Sequence, residues 1–289
     1  MTGSLRGAAV VGIGRTSFVR SSGRSTLAMA AEAARAALAD CGLTPSDVDG
    51  FTCFGSGEFA GPSQVSHAIG VDDLGWAVTV SGGGNMVTAT VDGAAGAVLT
   101  GQADVVVVYR VLGSGTRYGK RSGRVEVSGE RQFAAPHGYL VPPQWFAMFC
   151  RRHQYEYGST AEDLGAIAVQ QRAHAVANEH AVARTPITMD DYLQGRWVNE
   201  PFRVYDCCYE VDGAVALVVT SAERAADLQH RPVHLVGAAN SNRFGGSIDQ
   251  WDDLSSMYSR DTAPQLWSRT GLSAADMDFA LMYDCFTFT

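Results

Sequence analysis

Lysine is almost absent from this chain. Of its 22 basic residues, Lys120 is the one lysine and the others are arginines. A reaction that needs a lysine, through a Schiff base, pyridoxal phosphate or a P-loop, must use Lys120 or fail. That residue stands in the polar, glycine-rich run Arg117-Tyr-Gly-Lys-Arg-Ser-Gly, the usual setting of a solvated side chain. No apolar run reaches the roughly 18 residues of a membrane helix. Met1 to Val11 lacks the long apolar stretch and small-residue cleavage site of a secretory signal. The six cysteines, Cys41, Cys53, Cys150, Cys207, Cys208 and Cys285, form no C-x-x-C pair and no zinc pattern. Reduced thiols in a cytoplasm are therefore expected. The seven histidines are scattered, so no metal site is expected. Glycine is plentiful, at 32 residues, but follows no Gly-X-Y period. Gly12-x-Gly14 after a strand imitates a dinucleotide turn, yet Ser17 stands where the third glycine belongs, which argues against a nicotinamide cofactor. The net charge of −8 argues against nucleic acid as the main partner.

What is present reads as a globular enzyme. A chain of 289 residues, 46% apolar and 18% charged, can bury a large core in one or two domains. Ala8 to Ile13 is an apolar strand, and Ser25 or Thr26 caps an Ala-rich helix running from Leu27 to Cys41 and stopped by Gly42. Val48 to Phe54 is a second strand. A third ends near Ser81 and is followed by a triple-glycine turn and a helix of small residues, Met86 to Leu99. Asp104 to Tyr109 is a strand apolar on both faces. This alternation predicts an α/β fold with parallel pairing. Residues 113–205 break the rhythm with a polar glycine-rich stretch, a loop from Pro136 to Pro143, and helices over Trp145–Tyr157 and Ala161–Asn178. The α/β pattern resumes with the apolar strand Ala214–Val219.

The chain then begins again. Leu235-Val236-Gly237 echoes Val10-Val11-Gly12. The run from Gly271 to Asp278 echoes that from Gly42 to Asp49, sharing the Gly, the Leu and both Asp residues. A duplicated α/β half is expected. The first copy continues to the Val105–Val108 strand, whereas the second stops soon after Asp278, at the end of its expected second strand, which implies a longer parent chain. The organisation read from this is an N-terminal half, 1–112 with 206–222, an inserted loop domain, 113–205, and the start of a second half, 232–289.

Four stretches carry a family likeness: Pro136-His-Gly138 through Gly158-Ser-Thr-Ala-Glu-Asp-Leu164; Ile187-Thr-Met-Asp-Asp191; Glu200-Pro-Phe-Arg203 with Asp206-Cys-Cys208 and Asp212 to Val219; and Tyr283-Asp-Cys-Phe-Thr287. With the two halves and the Gly-rich turn, the chain resembles the thiolase superfamily in its sterol-carrier-protein-type branch. Within that branch it resembles the thiolase-like steroid side-chain aldolases of lipid-transfer-protein type. The likeness implies the thiolase fold, two pseudo-repeated α/β halves with an inserted loop domain, the second half incomplete at Thr289.

The resemblance also carries two departures. Thiolases hold a nucleophilic cysteine at the tip of the Gly-rich turn, where a helix N-terminus favours the thiolate. Here that position is Gly84, and its neighbour Asn85 has no thiol either. Acyl transfer through a thioester is then closed, and Gly84 leaves room for a branched acyl group. Where thiolases have a histidine before Asp-Cys-Phe, this chain has Tyr283. Both changes match the aldolases of the branch, which cleave a β-hydroxyacyl-CoA to a ketone and a shorter acyl-CoA such as propionyl-CoA. A retro-aldol reaction needs a base for the hydroxyl and stabilisation of the thioester enolate, without an obligatory lysine or metal. Tyr283 is read as the proton shuttle, with Asp284 orienting it and Cys285 in the core. Arg117, Lys120, Arg121 and Arg124 are candidate partners for the CoA phosphates, and His137 and Tyr139, beside Trp145, for the acyl channel. No resident cofactor is expected, since CoA arrives with the substrate. The resemblance further implies a homodimer, with Gly75–Ser81 as the edge, and a small zinc-ribbon/OB-fold partner protein. An acyltransferase or thiolase using another thiol such as Cys208, and a non-catalytic acyl-CoA-binding module, are the alternatives.

Overall fold

The structure is a computed structural model that describes residues 5–55, 59–113, 128–129, 131–240, 253–257 and 259–289, without the side chains of Asn85 and Arg131. In chain order its elements are β1 (Ala8–Arg15), α1 (Thr26–Cys41), β2 (Gly50–Phe54), α2 (Pro62–Ile69), β3 (Trp76–Val80), α3 (Val87–Leu99) and β4 (Val105–Leu112). They continue with α4 (Arg131–Ala134), α5 (Pro142–Tyr157), α6 (Ala161–Ala177), α7 (Met189–Leu193), β5 (Trp197–Asn199) and β6 (Phe202–Arg203). The last are β7 (Gly213–Ser221), α8 (Ala222–Ala225), β8 (Val233–His234) and α9 (Ser259–Thr270). The chain divides into two compact units. One comprises Met1–Thr116, Val211–Asn240 and Thr262–Ala280; the other comprises Arg117–Glu210, Ser241–Asp261 and Leu281–Thr289.

The first unit is built on a six-stranded sheet in the order β3-β2-β4-β7-β1-β8. Its centre, β4, shows why a continuous apolar run was needed. Val105, Val107, Tyr109 and Val111 enter one core cluster with Met29, Ala33, Ala37 and Leu38 of α1. Val106 and Val108 enter a second cluster with Ala94, Ala95 and Ala97 of α3. Because strand side chains alternate, α1 and α3 cover opposite faces of the sheet. Each buried valine contributes about 1.5–3 kcal/mol of apolar burial. The Ser25 side chain accepts from the Ala28 N–H at the start of α1, and Gly42, at φ 77°, closes its end. Asp49, at the entry to β2, accepts from the N–H groups of Asp104 and Val105, each at 2.9 Å, and so aligns β4 beside it.

The second unit is helical. α6 begins with a capping box in which Thr160 and Asp163 satisfy each other's backbone, and α7 begins with the same device from Thr188 and Asp191. Gly165 lets Tyr192 and Met189 of α7 approach α6, because a Cβ there would lie 2.6 Å from the Tyr192 ring. The core gathers Ala147, Cys150, Leu164, Tyr192, Phe202 and Phe286.

Several expectations are met and some are corrected. The strands β1, β2, β3, β4 and β7 and the helices α1, α3, α5 and α6 lie where the pattern puts them. Parallel pairing holds only for β2 with β3 and β4; β7 runs antiparallel to both β4 and β1. β7 returns to the sheet from the inserted segment rather than through a single β–α–β crossover, so no crossover rule fixes its direction. α2 was not read from the sequence, although Pro62 at its first turn and Gly70 at φ 90° bracket it. The run expected as a loop from Pro136 to Pro143 already enters α5 at Pro142, where a proline at the first helical position loses no hydrogen bond. In the second copy the strand is β8, ahead of the expected Leu235–Gly237. Residues 277–284 form no strand, and Phe279, Leu281 and Met282 stand exposed. A strand needs a ladder partner, and none of the described strands pairs with this segment. The repeated motif itself is real as local structure. Gly42 and Gly271 both take φ near 70°, and each is followed by a single turn in which Asp47 or Asp276 accepts from Thr44 or Ser273.

Candidate active site

Two places hold the residues singled out by the sequence, one in each unit. The first is the Gly-rich turn after β3. Gly83 caps a single helical turn, Gly84–Met86, that leads directly into α3, and the Met86 N–H bonds back to Gly83. Gly82 has φ 148°, a conformation suited to glycine. Gly84 lies at the first position of that turn, where a helical terminus presents its free N–H groups. No side chain there can act as a nucleophile. Asn85 follows in the same turn.

The second place is the segment from Tyr283 to Thr289. Every residue from Asp284 to Thr287 is tied down. The Asp284 carboxylate accepts from Nε2 of Gln171 on α6 at 2.5 Å. The Cys285 carbonyl accepts from the Cys208 N–H at 3.2 Å, and Phe286 forms an antiparallel bridge with Cys207. The Phe286 ring stacks on Phe202 at 4.8 Å with only 6° between planes, and meets Phe146 at 5.1 Å. The Thr287 N–H reaches the Asp206 carbonyl at 3.1 Å, and its hydroxyl donates to Asp206 Oδ1 at 2.6 Å. Tyr283 is the residue just before this anchored run and is 62% exposed.

Asp206 is the centre of that anchor. It is 2% exposed, and its carboxylate also accepts from the Tyr192 hydroxyl, at 2.9 and 3.1 Å, and from the Arg203 N–H at 2.6 Å. Burial first, then the facing Asp206, push the Tyr192 phenol far above its usual range, so it remains a donor.

The thiols of this unit are held protonated. Burial is the leading cause in each case. It pushes Cys150 and Cys207 up to about 12, with Asp206 adding to both. The same cause raises Cys208, helped by Glu210 and Asp284, and raises Cys285. A nucleophilic thiolate needs the opposite environment; Cys208, although solvent-exposed, has the carboxylates of Glu210 and Asp284 acting against its thiolate.

The remaining expectations divide. His137 is exposed at the end of a single turn, Ala135–His137. Tyr139 packs against Trp145, ring centroids 6.1 Å apart. Arg117, Lys120, Arg121 and Arg124 lie outside the described residues, as does the Asn85 side chain. Cys285 is only partly buried, because it borders the core rather than filling it. Sequence reasoning missed Gln171, Tyr192, Asp206 and Thr287. Asp206 and Thr287 stood inside quoted motifs, but nothing in a linear pattern showed that they meet.

No protein-family model matches the chain. The chain is 44% identical, over 97% of its length and 75% of the relative's, to a 17-hydroxy-3-oxo-4-pregnene-20-carboxyl-CoA lyase of Mycobacterium tuberculosis. It is 43% identical, over 97% and 74%, to a steroid side-chain-cleaving aldolase of Thermomonospora curvata. Among solved structures, the Ltp2-ChsH2(DUF35) aldolase superposes with a TM-score of 0.86 at 39% identity, covering 98% of this chain and 74% of that one. A monomeric SCP2-thiolase-like protein of Mycobacterium smegmatis, at 21% identity and a TM-score of 0.77 over 98% of this chain and 61% of that one, shares the fold. The fold is therefore that of the thiolases, in a form whose Gly-rich turn carries no cysteine. The chain belongs to the family of the side-chain-cleaving aldolases just described and is a carbon–carbon lyase.

Proposed function

We propose that this lyase catalyses retro-aldol cleavage of a steroid β-hydroxyacyl-CoA, releasing a ketone and a shorter acyl-CoA such as propionyl-CoA. The observation that carries the reading is the pairing of a turn without a thiol at Gly84 with 44% identity to a lyase whose substrate name puts a hydroxyl one carbon away from the carbon bearing the CoA thioester. In such a compound the carbon–carbon bond between those two positions can break heterolytically. The β-hydroxyl gives its proton to the Tyr283 phenolate, and its oxygen becomes the ketone. The bonding pair moves onto the α-carbon and the thioester as an enolate. A proton returned to the α-carbon completes the shorter acyl-CoA. Asp284, held by Gln171, orients the tyrosine. The absence of a side chain at Gly84 gives a branched α-carbon room that a cysteine would fill.

CoA enters with the substrate, its phosphates met by Arg117, Lys120, Arg121 and Arg124, with His137 and Tyr139 toward the acyl portion and no resident cofactor. The solved aldolase named as an Ltp2-ChsH2(DUF35) assembly supports a small partner protein, read here as a zinc-ribbon/OB-fold chain. No helix of the described residues is long and apolar enough to cross a membrane, which is compatible with work in the cytoplasm. The sheet edge at β3 suits a homodimer.

Tyr283→Phe tests the chemistry. It removes one hydroxyl and keeps the ring, so the fold and CoA binding survive. Turnover of the steroid hydroxyacyl-CoA, with the partner present, falls about 10²–10⁴-fold with little change in KM. A folded variant that keeps more than about half of wild-type cleavage sinks the assignment, because no general base in that range is so dispensable.

A further inference from the structure

Asp206 is a buried carboxylate that the proposed chemistry does not touch. Its donors come from three separate segments: Tyr192 on α7, the Arg203 backbone at β6, and Thr287 in the terminal run. A buried carboxylate that ties distant segments together costs desolvation unless all its acceptor sites are filled. Here the filled sites fix one orientation of Thr287, through both its hydroxyl and its N–H. Three residues earlier, Asp284 is fixed independently by Gln171. Between them the peptide is bridged to Cys207 and Cys208, and Phe286 is stacked on Phe202. The run from Asp284 to Thr287 is thus fixed at both ends, and Tyr283 directly precedes it.

We propose that the Asp206–Tyr192–Thr287 cluster is a positioning device for the Tyr283–Asp284 pair, setting where the phenol meets the substrate hydroxyl. The inference rests on the reading of Tyr283 as the proton shuttle. Misplacement of a reacting group by about 1 Å can cost on the order of 10²-fold in rate. Loosening this run therefore lowers kcat while leaving CoA binding, and so KM, nearly unchanged.

The experiment uses the full chain with its partner protein and the CoA thioester of a 17-hydroxysteroid 20-carboxylate. Thr287→Val keeps the side-chain shape and removes the hydroxyl; Thr287→Ser restores it; Tyr192→Phe removes the other hydroxyl on the same carboxylate. Expected are a roughly 10- to 100-fold loss of kcat in Thr287→Val and Tyr192→Phe, with KM within about twofold, and return to within about twofold of wild type in Thr287→Ser. The double variant Thr287→Val/Tyr283→Phe is expected to be no slower than Tyr283→Phe alone, because a displaced phenol and a missing one cost the same step. Wild-type kcat in the folded fraction of Tyr192→Phe and Thr287→Val, with only the melting temperature lowered, overturns the proposal and leaves the role of Tyr283 standing. Losses that multiply in the double variant overturn it too. If Tyr283→Phe is itself fully active, the failure is that of the proton-shuttle reading. Should Thr287→Val not fold, Tyr192→Phe alone decides by the same kcat criterion.

Discussion

Cys150, on α5, and Cys207, beside Asp206, keep their protons to about pH 12 in the folded chain because burial disfavours the thiolate. In the unfolded chain a thiol titrates near 8.5. The folded-state values are raised, so the stability they carry is fully present below about pH 8.5 and is lost as pH rises toward 12. Tyr109 and Tyr192, also driven up by burial, add to the alkaline loss. Urea midpoints measured between pH 8 and 11 are expected to fall steadily above pH 9, and a flat profile over that range contradicts the assignment. The same burial explains what could be read of the site. Tyr283, Asp284 and Gly84 could be singled out because each sits in a short motif whose chemistry is local. Gln171 was not, since it reaches Asp284 across 113 residues of sequence and its own helix shows only an exposed amide. Asp206 was quoted for its neighbours and not for itself, because burial, which gives a carboxylate its leverage, has no signature in an isolated Asp-Cys-Cys.

Where α1 crosses β1, the two backbones touch. A Cβ built on Gly14 would lie 2.2 Å from the Ala33 carbonyl and 2.3 Å from the Ala37 nitrogen, and one on Gly12 would lie 2.3 Å from the Ala37 carbonyl. The obstacle is backbone, which cannot swing aside, so α1 must lift off the sheet. Gly14→Ala is expected to cost about 1–3 kcal/mol by overpacking, or more if the helix cannot shift. A denaturant midpoint lowered without a change in slope is the expected reading, and unchanged stability shows that the helix yields easily. These glycines looked like two-thirds of a dinucleotide turn, while their packing role against α1 needed the helix in place. The same contrast runs through the other elements. Helices with strong caps, such as α1 between Ser25 and Gly42 or α6 from Thr160, and apolar strands such as β4 were legible because their signals are local. The direction of β7 was not, since it is decided by where the chain re-enters the sheet after the whole inserted unit. Nor was the loss of strand structure over residues 277–284, because a strand's existence depends on a neighbour that its own residues do not encode.

At the scale of the molecule, the sheet of the first unit ends at β3. Ala77, Val78 and Thr79 are exposed there, Val78 to 39%, and among the described residues β3 pairs with β2 alone. An open strand edge of β-branched residues invites another strand, and natural sheets blunt it with charge, proline, a bulge or cover. β3 reads Trp-Ala-Val-Thr-Val and has none of the first three, which leaves cover. A second copy would supply it at no cost in new sequence: two β3 strands meeting across a two-fold axis would pair antiparallel, and the same patch would serve both sides of the interface. The fold does not force this outcome, since one thiolase-fold neighbour is described as monomeric; the decision lies with the edge residues. Val78→Lys places a charge where the partner strand must dry, while the exposed position keeps the change from disturbing the unit's own core. The wild-type chain is expected to scatter light as a dimer at micromolar concentration and Val78→Lys as a monomer with an unchanged circular-dichroism spectrum. A wild-type monomer removes the homodimer, and a Val78→Lys variant that stays dimeric moves the interface away from β3.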